Sequence, residues 1–251
     1  MQGRAFVLAV EKPGVAYLDN PSKRGVATGC KQSFLREHTL DRWAGAVDAS
    51  IRAATELSVV DENRIAIIGH SEGAATAAAV VAANPKIQAV GLLSGSGGTQ
   101  LFDLLLQARQ QGIEMGENDE EITTRVEKVI KTFREILADP QSIKRFAWGH
   151  PFKRWYSFIS HSTVESLMQS SASIYIAHGT KDRTVPVESV DYLVAELLRR
   201  GHTDVTLRYI AGADHSLVSP KKASVIEAQE WVLKDFVDWW LGMDRRMSKE
   251  S

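Results

Sequence analysis

Between Ile65 and Ala83 the chain changes character across five residues. The run "IAII" is β-branched and apolar, "AATAAAVVAA" is almost pure Ala and Val, and only Gly69-His70-Ser71-Glu72-Gly73 separates them. The first composition suits a buried strand, the second a helix buried on most sides. A strand that passes into a helix so abruptly must turn sharply. Glycines two before and two after Ser71 remove side-chain bulk that would clash in such a turn. The pattern predicts a strand–turn–helix unit with Ser71 displayed at the turn. A tight turn with a helix-capping serine is the plainer reading of the same residues.

Four further runs read as strands: 5–10 "AFVLAV", 87–94 "IQAVGLLS", 172–178 "ASIYIAH" and 204–210 "DVTLRYI". The last alternates and suits a sheet edge; the others are apolar on both faces, as in a parallel sheet covered by helices. Helical spacing marks Leu40, Trp43, Ala44, Val47, Ile51 and Ala54, with Thr39 as a cap. It recurs in Val190, Leu193, Val194, Leu197 and Leu198, and again over 224–241. Alternating strands and helices predict an α/β, doubly wound, mostly parallel sheet.

Residues 99–168 interrupt that rhythm. They hold two amphipathic helical patterns, one over "LFDLLLQARQQ" and one with Ile122, Val126, Val129, Ile130, Phe133, Ile136 and Leu137. The aromatic-rich run "RFAWGHPFKRWYSF" follows. This segment reads as a helical lid inserted into a core formed by 1–98 and 169–251.

Lys and Arg number 30 against 31 Asp and Glu, which argues against a broad nucleic-acid surface and gives no reason to bind an acidic membrane. No apolar run reaches the length of a membrane span, and "MQGRAFVLAVEKPG" lacks the pattern of a signal peptide. A single cysteine, Cys30, fits a reducing, cytoplasmic compartment. No Cys/His cluster has metal spacing, so neither metal nor cofactor is expected.

A serine hydroxyl needs an adjacent base to act as a nucleophile. Later strands are followed by "HGTKDRTVP", which carries Asp182, and by "AGADHSL", which carries His215. Ser71, Asp182 and His215 thus fall at the carboxyl ends of successive parallel strands, where open α/β sheets place their sites. Asp214 is a rival acid, but adjacent loop residues rarely orient each other's side chains productively. His178 is read as a structural hydrogen-bonder, His70 as shaping the turn or lining the pocket, and His150 and His161 as lid residues that face solvent or, alternatively, touch substrate.

"GHSEG", "HGTKDRTVP" and "GADHSL", in that order, resemble the α/β-hydrolase family over about residues 4–241. The resemblance implies Ser71 as nucleophile, Asp182 as acid and His215 as base of an esterase that uses no cofactor and acts on small-molecule esters. A peptidase or amidase is the alternative, and a non-catalytic binding protein a third reading. It also implies an oxyanion donor in the backbone N–H of Glu72.

The sequence departs from the family before residue 65. "AVEKPGVA" resembles the loop after the family's fourth strand, with Ala16 where a glycine usually stands. That leaves the family's first three strands unaccounted for, and with them the usual second oxyanion donor. Either those strands lie outside this sequence, or strand 5–10 has moved beside "RIAII", bringing the amide of Gly14 or Val15 to Ser71. An open sheet edge would also offer a surface to a second copy of the chain.

Overall fold

The computed structural model describes residues 5–15, 25–221 and 224–243. In chain order the elements are α1 (Gln32–Glu37), α2 (Leu40–Thr55), β1 (Ile65–His70), α3 (Glu72–Ala83), β2 (Ile87–Leu93), α4 (Gln100–Glu114), α5 (Asp119–Ala138), β3 (Phe146–Ala147), β4 (His150–Pro151), α6 (Phe152–Ile159), α7 (Thr163–Leu167), β5 (Ser173–Gly179), α8 (Val187–Arg199), β6 (Val205–Ile210) and α9 (Val225–Leu241).

The main sheet has four parallel strands in the order β1-β2-β5-β6. Alternate residues of its two central strands supply two cores. Val90, Leu92, Ile174 and Ile176 face α3, α7 and α8, where Ala74, Ala77, Ala78, Val80, Val81, Leu167, Val190, Leu193 and Leu197 are buried. Ala89, Leu93, Tyr175 and Ala177 face α9 and its Val232, Phe236 and Trp239. Helices on both faces explain why these strands are apolar throughout. The alanines of α3 let that helix lie close to the sheet. Burying one large apolar side chain such as Leu197 contributes about 1.5–3 kcal/mol.

Helix ends follow local chemistry. Asn118 and Glu121 form a reciprocal capping box at the start of α5, and Asp119, Glu120 and Glu121 fill its first turn. Thr39 stands at the N-cap of α2 but makes no side-chain cap; instead Ser157 of α6 accepts from the Leu40 amide at 3.2 Å.

Two expectations are corrected here. Residues 5–10 form no strand: the segment is irregular, with Phe6 76% and Val7 71% exposed. Among the described residues β1 therefore lies at the sheet edge, and nothing has moved beside it. Apolar composition favours a strand only where a neighbour can accept its backbone hydrogen bonds. Second, the 99–168 segment is not all helix and not all peripheral. The two-residue strands β3 and β4 pair as a hairpin, and Val164 and Leu167 of α7 belong to the core beneath the sheet.

Candidate active site

The turn after β1 is built around a strained serine. Ser71 has φ +57° and ψ −119°, a region that side-chain-bearing residues rarely enter. Its N–H donates to the Leu93 carbonyl at 2.8 Å, tying the turn to the end of β2. A methyl group at Gly69 would overlap the Gly73 carbonyl, so the first glycine is required by close backbone approach. At Gly73 an added methyl would meet only Trp43 Cη2, at 4.0 Å. The two glycines of the motif are thus not equivalent: the second matters for where its carbonyl lies, not for lacking a side chain.

Asp182 follows β5. Its Oδ1 accepts from the amides of Thr184 at 2.8 Å and Val185 at 2.9 Å, and its side chain is completely buried. Oδ2 lies 2.8 Å from His215 Nδ1. Because that carboxylate accepts, Nδ1 carries the proton, and Nε2 is left to accept from the Ser71 hydroxyl at 3.0 Å. The structure thus brings Ser71, His215 and Asp182 into one hydrogen-bonded chain. Asp214, the rival acid, instead accepts from the amides of Ser216 and Val218 and shapes the loop.

Two other histidines support this chain. His70 donates from Nε2 to the His215 carbonyl at 2.8 Å. His178, fully buried, is bonded from Nε2 to the Val185 carbonyl at 2.9 Å, behind Asp182. Burial lowers the pKa of both.

Glu72, which follows the nucleophile, is the centre of a second cluster. Lys12 Nζ lies 2.5 Å from its Oε2, His38 Nε2 lies 3.2 Å from the same oxygen, and Arg154 donates to Oε1 from both Nε and Nη2. The Arg154 guanidinium stacks on Trp155 and Phe158 at 4.1 and 4.5 Å from their ring centroids. Burial by itself would push the Glu72 carboxyl up. Arg154, the His38 hydrogen bond and Lys12 outweigh it and hold Glu72 well below the usual carboxylate range. His38 stays lowered, because its burial exceeds the pull of Glu72.

A cavity of about 670 Å³ opens above Ser71 and His215. Its walls include Lys12, Asp103 and Leu104 of α4, His150 of β4, and Arg154 and Trp155 of α6. His150 and His161, expected in solvent, are instead partly buried, and burial followed by the Arg154 charge pushes His150 down to about 4.

The oxyanion candidates fare differently. The Glu72 N–H sits in the first turn of α3, where amides lack an intrahelical acceptor. The Val15 N–H donates to the Lys12 carbonyl at 3.1 Å, closing a turn, which withdraws it as a second donor. Gly14, at φ +82°, packs on Phe34.

Sequence reasoning missed Lys12, Asp103 and Arg154. Only Arg154 had a local signal, its place among the aromatics of 145–158; nothing in the sequence pairs it with Glu72.

Among the described residues no helix is long and apolar enough to cross a membrane. No curated protein matches the chain. Among solved structures it is similar to a Mycobacterium tuberculosis puromycin-hydrolyzing peptidase, with TM-score 0.53 and 18% identity over 86% of this chain and 28% of that one. It is similar to Est1E from Butyrivibrio proteoclasticus, with TM-score 0.51 and 16% identity over 82% and 72%. It also resembles Porphyromonas gingivalis dipeptidyl peptidase 4, with TM-score 0.52 and 12% identity over 84% and 24%. The chain therefore spans about a quarter of the length of the two peptidases and under three quarters of Est1E. Such identities speak to fold alone. The model of the alpha/beta hydrolase family matches residues 4–225, and with its parallel sheet and the turn at Ser71 the chain belongs to that family.

Proposed function

We propose that this chain is a serine hydrolase that cleaves carboxylic esters through an acyl-enzyme. The observation that carries the reading is the unbroken chain from Asp182 through His215 to a serine held at φ +57°. His215 Nε2 takes the Ser71 proton as Oγ attacks the ester carbonyl. The imidazolium that forms keeps its Nδ1–H on Asp182, which stabilises it without itself taking the proton. Nε2 then protonates the departing alkoxide. Water repeats the sequence on the acyl-enzyme, with His215 as base and Ser71 as leaving group.

Charge on the tetrahedral oxygen meets the Glu72 N–H at the positive end of α3. The segment 99–162 acts as a cap: α4, β4 and α6 supply side chains to the cavity wall, so substrate choice lies there.

Covalent labelling by a fluorophosphonate tests the reading. The wild type is expected to be labelled at Ser71 and to hydrolyse p-nitrophenyl esters, and Ser71→Ala to lose both. An unlabelled, inactive wild type would rule out the enzyme. Turnover of p-nitroanilide peptides with none of esters would favour an amidase.

A further inference from the structure

Asp103 lies in the first turn of α4, on the wall of the cavity above Ser71. It is only 4% exposed, and among the described residues its Oδ1 is buried with no hydrogen-bond partner. A carboxylate so enclosed is costly unless a cation meets it. Among the described residues no cation does. Burial pushes Asp103 up to about 6, hydrogen bonding from the hydroxyls of Ser189 and Ser96 opposes this, and the other charge acting on it is that of Asp182, a second anion. The other cations that line the cavity, Lys12 and Arg154, are paired with Glu72, with Arg154 Nη1 left over, and neither acts on Asp103. The dipole of α4 favours an acid in the first turn, but by too little to offset burial.

Asp103 does not stand alone. Gln100 Oε1, one turn earlier on α4, is also buried without a partner among the described residues, and it lines the same cavity as Asp103 and Ser96. An amide oxygen accepts hydrogen bonds and cannot donate them, and a carboxylate adds a full negative charge. Two acceptors on one face of α4, one of them charged, in the wall of a cavity above a candidate nucleophile, are satisfied by a ligand rich in donors and positively charged.

We infer that the Asp103 end of the cavity is a subsite for an ammonium group, and that the substrates are esters bearing a primary or secondary amine. The inference rests on the serine-hydrolase reading above and adds the substrate class to it.

The test uses isosteric ester pairs that differ in charge: p-nitrophenyl 6-aminohexanoate against heptanoate, and p-nitrophenyl β-alaninate against butanoate. The readout is the ratio of kcat/KM within a pair, which cancels any general loss of activity. In the wild type the better pair is expected to favour the amine by about 10–100-fold, the value of a hydrogen bond to a charged group. In Asp103→Asn that ratio is expected to fall at least tenfold. A wild-type ratio of one or less in both pairs, or the same ratio in the variant, overturns the subsite while leaving the esterase standing. Should no ester be turned over, the esterase reading falls and calorimetric titration with butylammonium chloride decides the subsite. Binding to the wild type that weakens at least tenfold in Asp103→Asn and is not matched by n-butanol supports it. No binding to the wild type, or equal binding to both proteins, overturns it. Circular dichroism of the variant separates these results from misfolding.

Discussion

Arg154 meets Glu72 through two nitrogens of its guanidinium, although 82 residues separate them in the chain. Arg154 is 3% exposed and Glu72 half-buried, so this is a largely enclosed ion pair beside the candidate nucleophile. Removing Arg154 leaves the Glu72 carboxylate with Lys12 and His38, and its Oε1 without the guanidinium. Arg154→Met is therefore expected to destabilise the fold by about 1.5–3 kcal/mol, the value of a hydrogen bond to a charged group, read as a lower urea midpoint. Arg154→Lys should not restore it, because one ammonium cannot reproduce the fork or the stacking on Trp155 and Phe158. If Arg154→Met unfolds at the wild-type midpoint, the pair contributes nothing.

The two glycines around Ser71 predict opposite outcomes for the same substitution. Gly69→Ala drives a methyl into the Gly73 carbonyl, so it should lower both stability and labelling of Ser71. Gly73→Ala adds a methyl with nothing closer than 4.0 Å and places a better helix former at the start of α3. It should fold with unchanged or slightly higher melting temperature. Equal damage from both would show that the turn is governed by something other than this approach.

Asp182 orients His215 while its second oxygen is held by two backbone amides. Asp182→Asn keeps the shape but presents an amide that can donate to Nδ1, which favours the wrong tautomer. Hydrolysis of p-nitrophenyl acetate is expected to fall about 10³–10⁴-fold in kcat, with KM moving far less. Because Asn cannot hold the Thr184 and Val185 amides as strongly, a modest loss of stability should accompany it. A kcat within tenfold of the wild type would remove Asp182 from the reaction.

Acid should unfold this protein early. Burial lowers the pKa of His38, His70, His150, His161 and His178 in the folded state. A base whose folded pKa is depressed contributes full stability above its unfolded value of about 6.5, and that stability is lost as pH falls. The urea midpoint is expected to drop between pH 7.5 and 5.0; a constant midpoint would mean these imidazoles are not buried neutral. Asp103 runs the other way. Its folded pKa, raised to about 6, makes the folded state the better proton binder, so its cost appears as pH rises from about 4 to 6. Asp103→Asn should therefore stabilise the protein at pH 7.5, by about 1–3 kcal/mol, and much less at pH 4. A substitution that stabilises the fold at a cavity wall is the mark of a residue kept for binding.

Much of the arrangement was legible in the sequence. Strands β1, β2, β5 and β6 fall within a residue or two of the apolar runs that predict them; the central pair β2 and β5 must be apolar on both faces, and β6 alternates as an edge strand does. The order of serine, acid and histidine likewise predicts three residues at one end of the sheet. The apolar run 5–10 misled, because composition cannot say whether a neighbouring strand is there to pair with. His150 and His161 misled in the opposite sense: a histidine in a polar stretch looks solvent-exposed until helices close over it.

The chain alone determined the strand–turn–helix unit at Ser71 and the sequence of loops that carry Asp182 and His215, since these depend on backbone sterics and on spacing along the chain. Tertiary structure alone decided which charges are buried and with what partners. Lys12 reaches Glu72 across 60 residues, Arg154 reaches it across 82, and Asp103 meets no cation among the described residues. Burial and pairing of charge are properties of the space between elements, and no local pattern encodes which distant element will fill that space.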